Sequence, residues 1–382
     1  MGTRTRRVLL RRVRPIGWLL LSVLWAGCTD FTAPDPPSAP SFALGIDPNP
    51  TQVQIYGAWH CGNDFCTWGA ERDTIEFDNM NHWLVDRGDG RPSVNVVVLS
   101  FVHPYRLLKK STDAQTLDGI PRGMTSTIVN HFKSRGVRVM LSIGGITYTA
   151  AWNQALSENA TQLGLNAAAA AAALGVGIEI DYEENKNPNL TGLQAFINAY
   201  RSVHPYDPSG ARHPARLTID LAAGDRWLIA LTRKATADWL RTDLPVLDYA
   251  NAMVPARQPS ASEAIANWQE HIDGKTQYSP PIPPLAPSKF TAGLYVAEGG
   301  KVRPECNNYP NSLQSSTRNF IEGARPHGAG VTSGLLGYMF WAAERPAARG
   351  IGTVPPYTCE NGIGGGATAL NVPVPMPALR AQ

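Results

Sequence analysis

Eight short apolar segments, each rich in β-branched residues, recur along the chain and are separated by stretches with helical periodicity. Runs of this kind are typical of strands that are buried on both faces, as in a parallel sheet. Eight of them alternating with helices over roughly 300 residues is the pattern of an α/β fold, the (β/α)₈ TIM barrel. The predicted strands are 53–59, 94–101, 137–145, 176–183, 216–224, 247–254, 290–297 and 335–342.

A single barrel domain is therefore predicted over 52–355. The tail at 356–382 is predicted to be irregular, and its glycine cluster follows no strand and precedes no helix, which argues against a phosphate-binding loop. The predicted helices include 126–136, the seven-alanine run at 167–173, 190–203, 261–272 and 316–324.

The fourth predicted strand carries a row of acids in the stretch "GVGIEIDYEEN", residues 175–185. Glu179, Asp181 and Glu183 alternate with apolar residues, so the three carboxylates share one face of the strand. Crowded, desolvated carboxylates raise one another's pKa toward the range that suits a general acid. The alternative is a solvated edge strand. Barrel strands are buried on both faces, and active sites lie at their C-terminal ends, which favours a catalytic site.

The first 27 residues are predicted to be an export signal. They contain six arginines and no acid, followed by the apolar stretch "IGWLLLSVLWAG". Removing these six positive charges turns the formal net charge of +3 into −3. The rest of the chain therefore has no excess of positive charge that would indicate a nucleic-acid partner.

The leader ends in "LWAGC", which resembles the lipobox of bacterial lipoproteins and predicts that Cys28 is lipidated. "TRRVLLR" loosely resembles a twin-arginine export signal. The alternative is an ordinary cleaved signal peptide with an incidental cysteine. The segment 28–51 contains six prolines and no regular period, and it is predicted to be an extended tether between a membrane and the barrel.

The remaining four cysteines form an even set, which in an oxidising compartment predicts two disulfides. Three pairings are possible, and the favoured one joins Cys61 with Cys66 and Cys306 with Cys359, the second bridge holding the tail. A zinc site at His60, Cys61 and Cys66 is disfavoured because no second ligand pair follows at zinc-finger spacing. Neither a metal nor another cofactor is predicted.

Two of the strands together resemble the third and fourth strands of family-18 glycoside hydrolases, the chitinase family. "VMLSIGG" resembles the SxGG motif of that family, and "GIEIDYE" resembles its DGxDxDxE motif. Glu179 and Val176 stand where the second motif has aspartates. The last predicted strand, "GYMFW", is similar to the strand whose tryptophan floors the subsite beside the scissile bond, which implies that role for Trp341. The matching motif residues are Ser142, Gly144, Gly145, Gly177, Asp181 and Glu183.

The sixth strand departs from the family pattern. Where the family has Met-x-Tyr-Asp, this chain keeps Met253 but has Pro255 and Ala256 in the other two places. The tyrosine that would hold the substrate's acetamido group is therefore missing from its usual position.

The resemblance implies a retaining, substrate-assisted mechanism. Glu183 would protonate the glycosidic oxygen, and the substrate's own 2-acetamido carbonyl would attack the anomeric carbon, an exception to the scheme with two catalytic carboxylates. Asp181 would orient the acetamido group, and Glu179 would hold a proton for Asp181 or fill polar space.

Four residues besides Trp341 are candidates for substrate contacts. Asp220 and Asn251 could replace the missing tyrosine's hydrogen bond, with the capping of a loop as the alternative for each. Tyr148, just after the SIGG turn, could line the cleft or pack. Trp59 and Trp341 could stack on sugar rings, since an aromatic face suits the apolar face of a pyranose.

The leader and the family resemblance together imply an exported hydrolase of β-1,4 bonds beside N-acetylglucosamine, either secreted or membrane-anchored by lipid alone in a bacterial envelope. The expected partner is chitin or an oligosaccharide containing N-acetylglucosamine, and the chain is expected to be a monomer. An endo-β-N-acetylglucosaminidase that acts on glycans is equally compatible. The alternative from another class is a sugar-binding, lectin-like barrel without activity.

Overall fold

The structure of the protein is a computed structural model. It describes residues 53–61, 68–71, 73–74, 84–87, 89–222, 227–253, 261–295, 297–298, 301–302, 336–343, 367–368 and 371–376. The predicted signal segment, Cys28 and the predicted tether lie outside these ranges.

Eight parallel strands form a closed barrel in which each strand pairs with its neighbours in chain order. The last strand pairs with the first and closes the ring. The predicted (β/α)₈ barrel is confirmed, and every predicted strand overlaps one of the eight. The strands are β1 Ile55–His60, β2 Val96–Val102, β3 Arg138–Gly144, β4 Gly177–Asp181, β5 Leu217–Ala222, β6 Ala250–Met253, β7 Phe290–Tyr295 and β8 Gly337–Ala343.

The helices in the described ranges connect successive strands, and local sequence signals set their ends. The side chain of Thr125 accepts a hydrogen bond from the Ile128 N–H at 3.3 Å and caps the second helix. The alanine run forms the end of the third helix, which stops at Gly175 in a left-handed conformation. The predicted helix 316–324 lies outside the described residues. The helices are α1 Pro104–Lys109, α2 Ser126–Lys133, α3 Thr149–Leu174, α4 Leu190–Val203, α5 Ile229–Lys234 and α6 Ala261–Asp273.

The alternation of side chains along each strand produces two separate cores. On β4, Ile178 and Ile180 face outward and pack in the layer between the barrel and the helices. A second, smaller apolar cluster fills the barrel interior toward its N-terminal end, and it includes Ile55, Val96 and Met140. The polar residues of the barrel interior therefore lie above an apolar floor.

The described part of the C-terminal tail packs against the N-terminal end of the barrel. The side-chain amide of Asn95 donates to the Pro373 carbonyl at 3.0 Å, and Val372 and Met376 are buried in the two cores. The tail therefore does not depend on the predicted Cys306–Cys359 disulfide alone, because buried apolar contacts and this hydrogen bond also hold it.

Cys61 is buried and forms a disulfide. Cys66, Cys306 and Cys359 lie outside the described residues, so both pairings stay predictions. Over the ranges that the structure describes, no helix is both long and apolar enough to cross a membrane.

Candidate active site

The three acids of β4 point into the barrel at its C-terminal end. Glu179 is fully buried, Asp181 is 3% exposed and Glu183, just beyond the strand, is 8% exposed. Ser142 of the SxGG motif lies beside Glu179 on the neighbouring strand β3. The solvated edge strand considered as an alternative is therefore wrong, because closure of the barrel buries the entire row.

Glu179 is held by hydrogen bonds from two other strands. The indole N–H of Trp59 donates to its Oε1 at 2.8 Å, and the amide of Asn251 donates to its Oε2 at 2.5 Å. Burial raises the pKa of Glu179, and these hydrogen bonds oppose the rise because they favour the charged form. The hydroxyl of Thr291 in turn donates to Asn251 Oδ1 at 2.5 Å. Thr291 was missed because a single threonine in a strand carries no local signal of a polar network.

Asp220 adds a fourth carboxyl to the row. It lies inside β5, 1% exposed, and its Oδ1 has no hydrogen-bond partner. Burial raises its pKa well above the ordinary value, and the nearby charges of Glu179 and Asp181 raise it further. The loop-capping role considered for Asp220 and Asn251 is wrong, because both lie within strands and face Glu179. Both amide atoms of Asn251 bond to protein, and its role as a substrate ligand stays a prediction.

Asp181 and Glu183 are the acids closest to the open end of the barrel. Burial raises the pKa of Asp181 well above its ordinary value, and the charges of Glu183 and Glu179 add to the effect. Burial also raises the pKa of Glu183, to about 7, although the backbone N–H of Ile146 donates to its carboxyl and opposes the rise. Near neutral pH, Glu183 is therefore poised between its acid and its carboxylate form.

The glycine pair of the SxGG motif lets β3 approach the end of the acidic strand. Gly144 and Gly145 have φ values of +123° and +90°, and the Gly145 N–H donates to the Asp181 carbonyl at 3.1 Å. A Cβ on Gly144 would lie 1.8 Å from that carbonyl oxygen. The indole N–H of Trp152 donates to the same oxygen at 3.0 Å. The motif therefore fixes the backbone from which the Asp181 side chain projects.

An aromatic group lies beside the acids. The ring of Trp341 is partly exposed and stacks on Phe101, with centroids 5.7 Å apart and planes at 28°. Trp59 contacts Trp341 edge-on at 6.3 Å but is buried, so it positions Glu179 in place of the predicted sugar-stacking role. Tyr148 lies 4.6 Å from the ring of His103 and is half-buried. The sequence alone gives no sign of Phe101 in this group, because only the closed barrel brings β2 and β8 to either side of β1.

Met253 ends β6 and is half-buried. Pro255 and Ala256, where the chain departs from the family motif, lie outside the described residues. Among the residues that the structure describes, no group of three or more His, Cys, Asp or Glu side chains could hold a metal ion.

No protein-family model and no curated protein sequence matches the chain. Several solved structures are similar to it. A family-18 chitinase from Pseudoalteromonas aurantia is 17% identical, with 67% of this chain and 88% of that chain covered and a TM-score of 0.47. A chitinase from Rhizomucor miehei is 13% identical, with 80% and 99% covered and a TM-score of 0.47. An endo-β-N-acetylglucosaminidase from Cordyceps militaris is 11% identical, with 84% and 92% covered and a TM-score of 0.43. The chain is similar in fold to solved glycoside hydrolases, family-18 chitinases among them.

Proposed function

We propose that the chain is a glycoside hydrolase that cleaves β-1,4 bonds beside N-acetylglucosamine with retention of configuration. The observation that carries the proposal is the carboxyl of Glu183. It lies at the open end of the barrel, its pKa is raised to about 7, and a buried Asp181 lies two residues before it. An acid whose pKa is near the working pH holds a proton and can still release it, as general acid catalysis requires.

In the proposed reaction, Glu183 gives its proton to the glycosidic oxygen as the bond between that oxygen and the anomeric carbon breaks. The carbonyl oxygen of the substrate's 2-acetamido group bonds to the anomeric carbon and forms an oxazolinium ion. Water then attacks the anomeric carbon and opens the oxazolinium ring, and the Glu183 carboxylate takes the proton from that water. The substrate's own group thus replaces the second carboxylate of the usual scheme.

Asp181 would orient the acetamido group and stabilise the positive charge that develops on it. In the free protein, burial and then the charges of Glu183 and Glu179 hold the pKa of Asp181 high. A cationic intermediate beside Asp181 offsets that repulsion and favours its carboxylate form. Glu179, tied to Trp59 and Asn251, is the proposed deeper acid that shares protons with Asp181.

The stacked rings of Trp341 and Phe101 supply an apolar platform for a sugar ring. Trp341 remains partly exposed at the acidic end of the barrel, which is where a pyranose bound for hydrolysis would lie. We therefore propose Trp341 as the floor of the subsite beside the scissile bond.

The test is hydrolysis of chitin oligosaccharides and of a high-mannose glycopeptide by the purified protein. Glu183→Gln keeps the side-chain shape and removes the proton, so turnover should fall by about 10²-fold or more while oligosaccharide binding persists. Asp181→Asn should also slow turnover, and Glu179→Gln should cost less. Glu184→Gln is the matched control, because the Glu184 carboxylate lies outside the barrel interior. It accepts hydrogen bonds from the Asn153 side chain and from backbone N–H groups.

The experiment also separates the remaining candidates. Cleavage of the glycopeptide but not of chitin oligosaccharides would favour an endo-β-N-acetylglucosaminidase. A lectin-like barrel would show no turnover in the parent, and its binding would hardly change in the variants; Val176 and Pro255, which depart from the family motifs, are the features in its favour. Should Glu183→Gln keep parental hydrolysis, its assignment as the acid is wrong.

We further propose that the protein is exported and anchored to a membrane through lipid on Cys28. The support is the basic and apolar leader before Cys28 and the proline-rich segment after it.

A further inference from the structure

Three positive side chains form a layer at the N-terminal end of the barrel, opposite the acids. Arg138, Arg216 and Lys289 stand at or just before the first residues of β3, β5 and β7, and they are 6%, 2% and 6% exposed. Each lies an even number of positions along the chain from residues of its strand that point into the barrel, so it faces inward as well. Alternate strands of a barrel contribute side chains to the same layer. The Arg216 guanidinium lies 5.8 Å from the ring centre of Tyr249, which belongs to the interior apolar cluster.

Hydrogen bonds to Asp248 neutralise only part of this charge. Its Oδ1 accepts from Arg216 Nη1 at 3.1 Å, and its Oδ2 accepts from Arg201 Nη2 at 3.1 Å and from the Leu217 N–H at 2.8 Å. The Lys289 ammonium donates to backbone carbonyls, that of Asp248 at 3.0 Å among them. With Asp207, whose charge also acts on Arg138, two carboxylates thus face four buried or nearly buried cations, counting Arg201.

Several donors of this layer have no partner among the described residues. Arg216 keeps Nε and Nη2 unbonded, and Arg138, which donates through Nη2 to the Gly210 carbonyl at 2.6 Å, keeps Nε and Nη1 unbonded. Nδ1 of His213, in the turn before β5, is also buried without a partner. Unpaired buried donors are costly, and buried guanidinium groups most of all.

The strand between the two arginines packs tightly against its neighbours, and a glycine makes this close approach possible. Gly177 of β4 lies between them, and a Cβ there would come within 2.9 Å of Arg216 Cβ and 3.2 Å of Met140 Cε. Burial and the charge of Arg216 lower the pKa of Arg138 to about 10. Burial, followed by the charges of Arg138 and of other cations, lowers the pKa of His213 to about 4. These groups repel one another, and a negative charge among them would relieve the repulsion.

We propose that Arg138, Arg216 and His213 bind a small oxyanion such as inorganic phosphate or sulfate at the N-terminal end of the barrel. Nε and Nη2 of Arg216 form one edge of the guanidinium fork, the geometry that pairs with two oxygens of an oxyanion. Arg138 supplies two more donors from the neighbouring odd-numbered strand, and half-buried His213 marks the side nearest to solvent. This site is independent of the proposed hydrolase activity and lies at the other end of the barrel.

The test measures the melting temperature of the full chain at pH 7.5 while sulfate replaces chloride at constant ionic strength. A specific site raises the melting temperature steeply at low sulfate and then with the logarithm of the sulfate concentration, because a ligand that binds only the folded state stabilises it by mass action. Exclusion of sulfate from the protein surface also stabilises proteins, but that effect grows linearly with sulfate concentration and persists in variants. Isothermal titration calorimetry with phosphate measures the binding directly.

In Arg138→Gln, the logarithmic component should be lost or shifted to about tenfold higher sulfate or more, as expected for loss of a charge-assisted hydrogen bond. His213→Ala, at a half-buried turn position, should weaken binding less, and it tests the site should Arg138→Gln fail to fold. Arg241→Gln is the control, because Arg241 is exposed and pairs with Asp243 on the surface; its curve should match the parent. A strictly linear rise in the parent, or an unchanged logarithmic component in Arg138→Gln or in His213→Ala, would overturn the proposal.

Discussion

Glu183→Gln is expected to stabilise the protein above neutral pH and to leave its stability almost unchanged in acid. Glu183 is buried, and burial raises its pKa from the ordinary 4.5 to about 7. The folded state therefore binds a proton that the unfolded state releases between these two values. The contribution of this group to the free energy of unfolding is largest below pH 4.5. It falls as the pH rises from 4.5 toward 7 and stays at its lowest value above pH 7.

The size of the effect follows from the difference between the two pKa values. At 1.36 kcal/mol per pKa unit, the loss between pH 4.5 and pH 7 amounts to about 3 kcal/mol. A glutamine has no charge to desolvate, and its amide oxygen can accept the N–H of Ile146 as the carboxylate does. Removing the charge of Glu183 also lowers the repulsion on Asp181, which acts in the same direction.

The assay is urea denaturation of parent and variant at pH 4.5, 6, 7 and 8. The difference between their free energies of unfolding cancels the titration of groups that both share, and it should grow by about 3 kcal/mol toward the alkaline end. Glu184→Gln is the control with the opposite sign, because hydrogen bonds from Asn153, Lys186 and Asn187 lower the pKa of Glu184. If the Glu183→Gln difference stays flat with pH, then Glu183 is not buried in its neutral form and the proposed acid loses its physical basis.

Four further predictions concern single residues. Asn251→Leu removes the amide that donates to Glu179 and should cost about 1–3 kcal/mol of unfolding free energy, measured by denaturation. Gly144→Ala forces a Cβ against a backbone oxygen, so soluble yield and melting temperature should both fall sharply. Trp341→Ala should weaken oligosaccharide binding by roughly tenfold, measured by calorimetry, with the melting temperature little changed. Cys28→Ser, expressed in a Gram-negative host, should release the protein from the membrane fraction; unchanged fractionation would contradict the lipid anchor.

Much of the barrel could be predicted from the sequence, because local patterns carry it. Strand length, the enrichment in β-branched residues and the period of two on β4 are properties of neighbouring residues, and they placed all eight strands. The face shared by Glu179, Asp181 and Glu183 follows from the same period. Their burial followed from the number of strands, since eight strands that alternate with helices close into a barrel.

The composition of the polar network could not be predicted, because it depends on which residues reach the same height in the closed barrel. Trp59 meets Glu179 across 120 positions of sequence, and Asn251 meets it across 72. The alternation of side chains along each strand predicts that these side chains point inward. The offset of neighbouring strands along the barrel axis decides which of them touch. Loop capping was therefore a reasonable expectation for Asp220 and Asn251 until the strands were placed side by side.

The sequence by itself determined the kind of chemistry, since a row of three acids on one strand brings carboxylates together in any fold that keeps the strand. Only the tertiary structure decided which acid can exchange a proton near neutral pH. Burial by the other strands sets each desolvation cost, so Asp181 and Asp220 are held well above their ordinary pKa, whereas Glu183 reaches about 7. The same applies at the opposite end of the barrel, where Arg138 and Arg216 are far apart in sequence and repel each other only because closure of the barrel buries both.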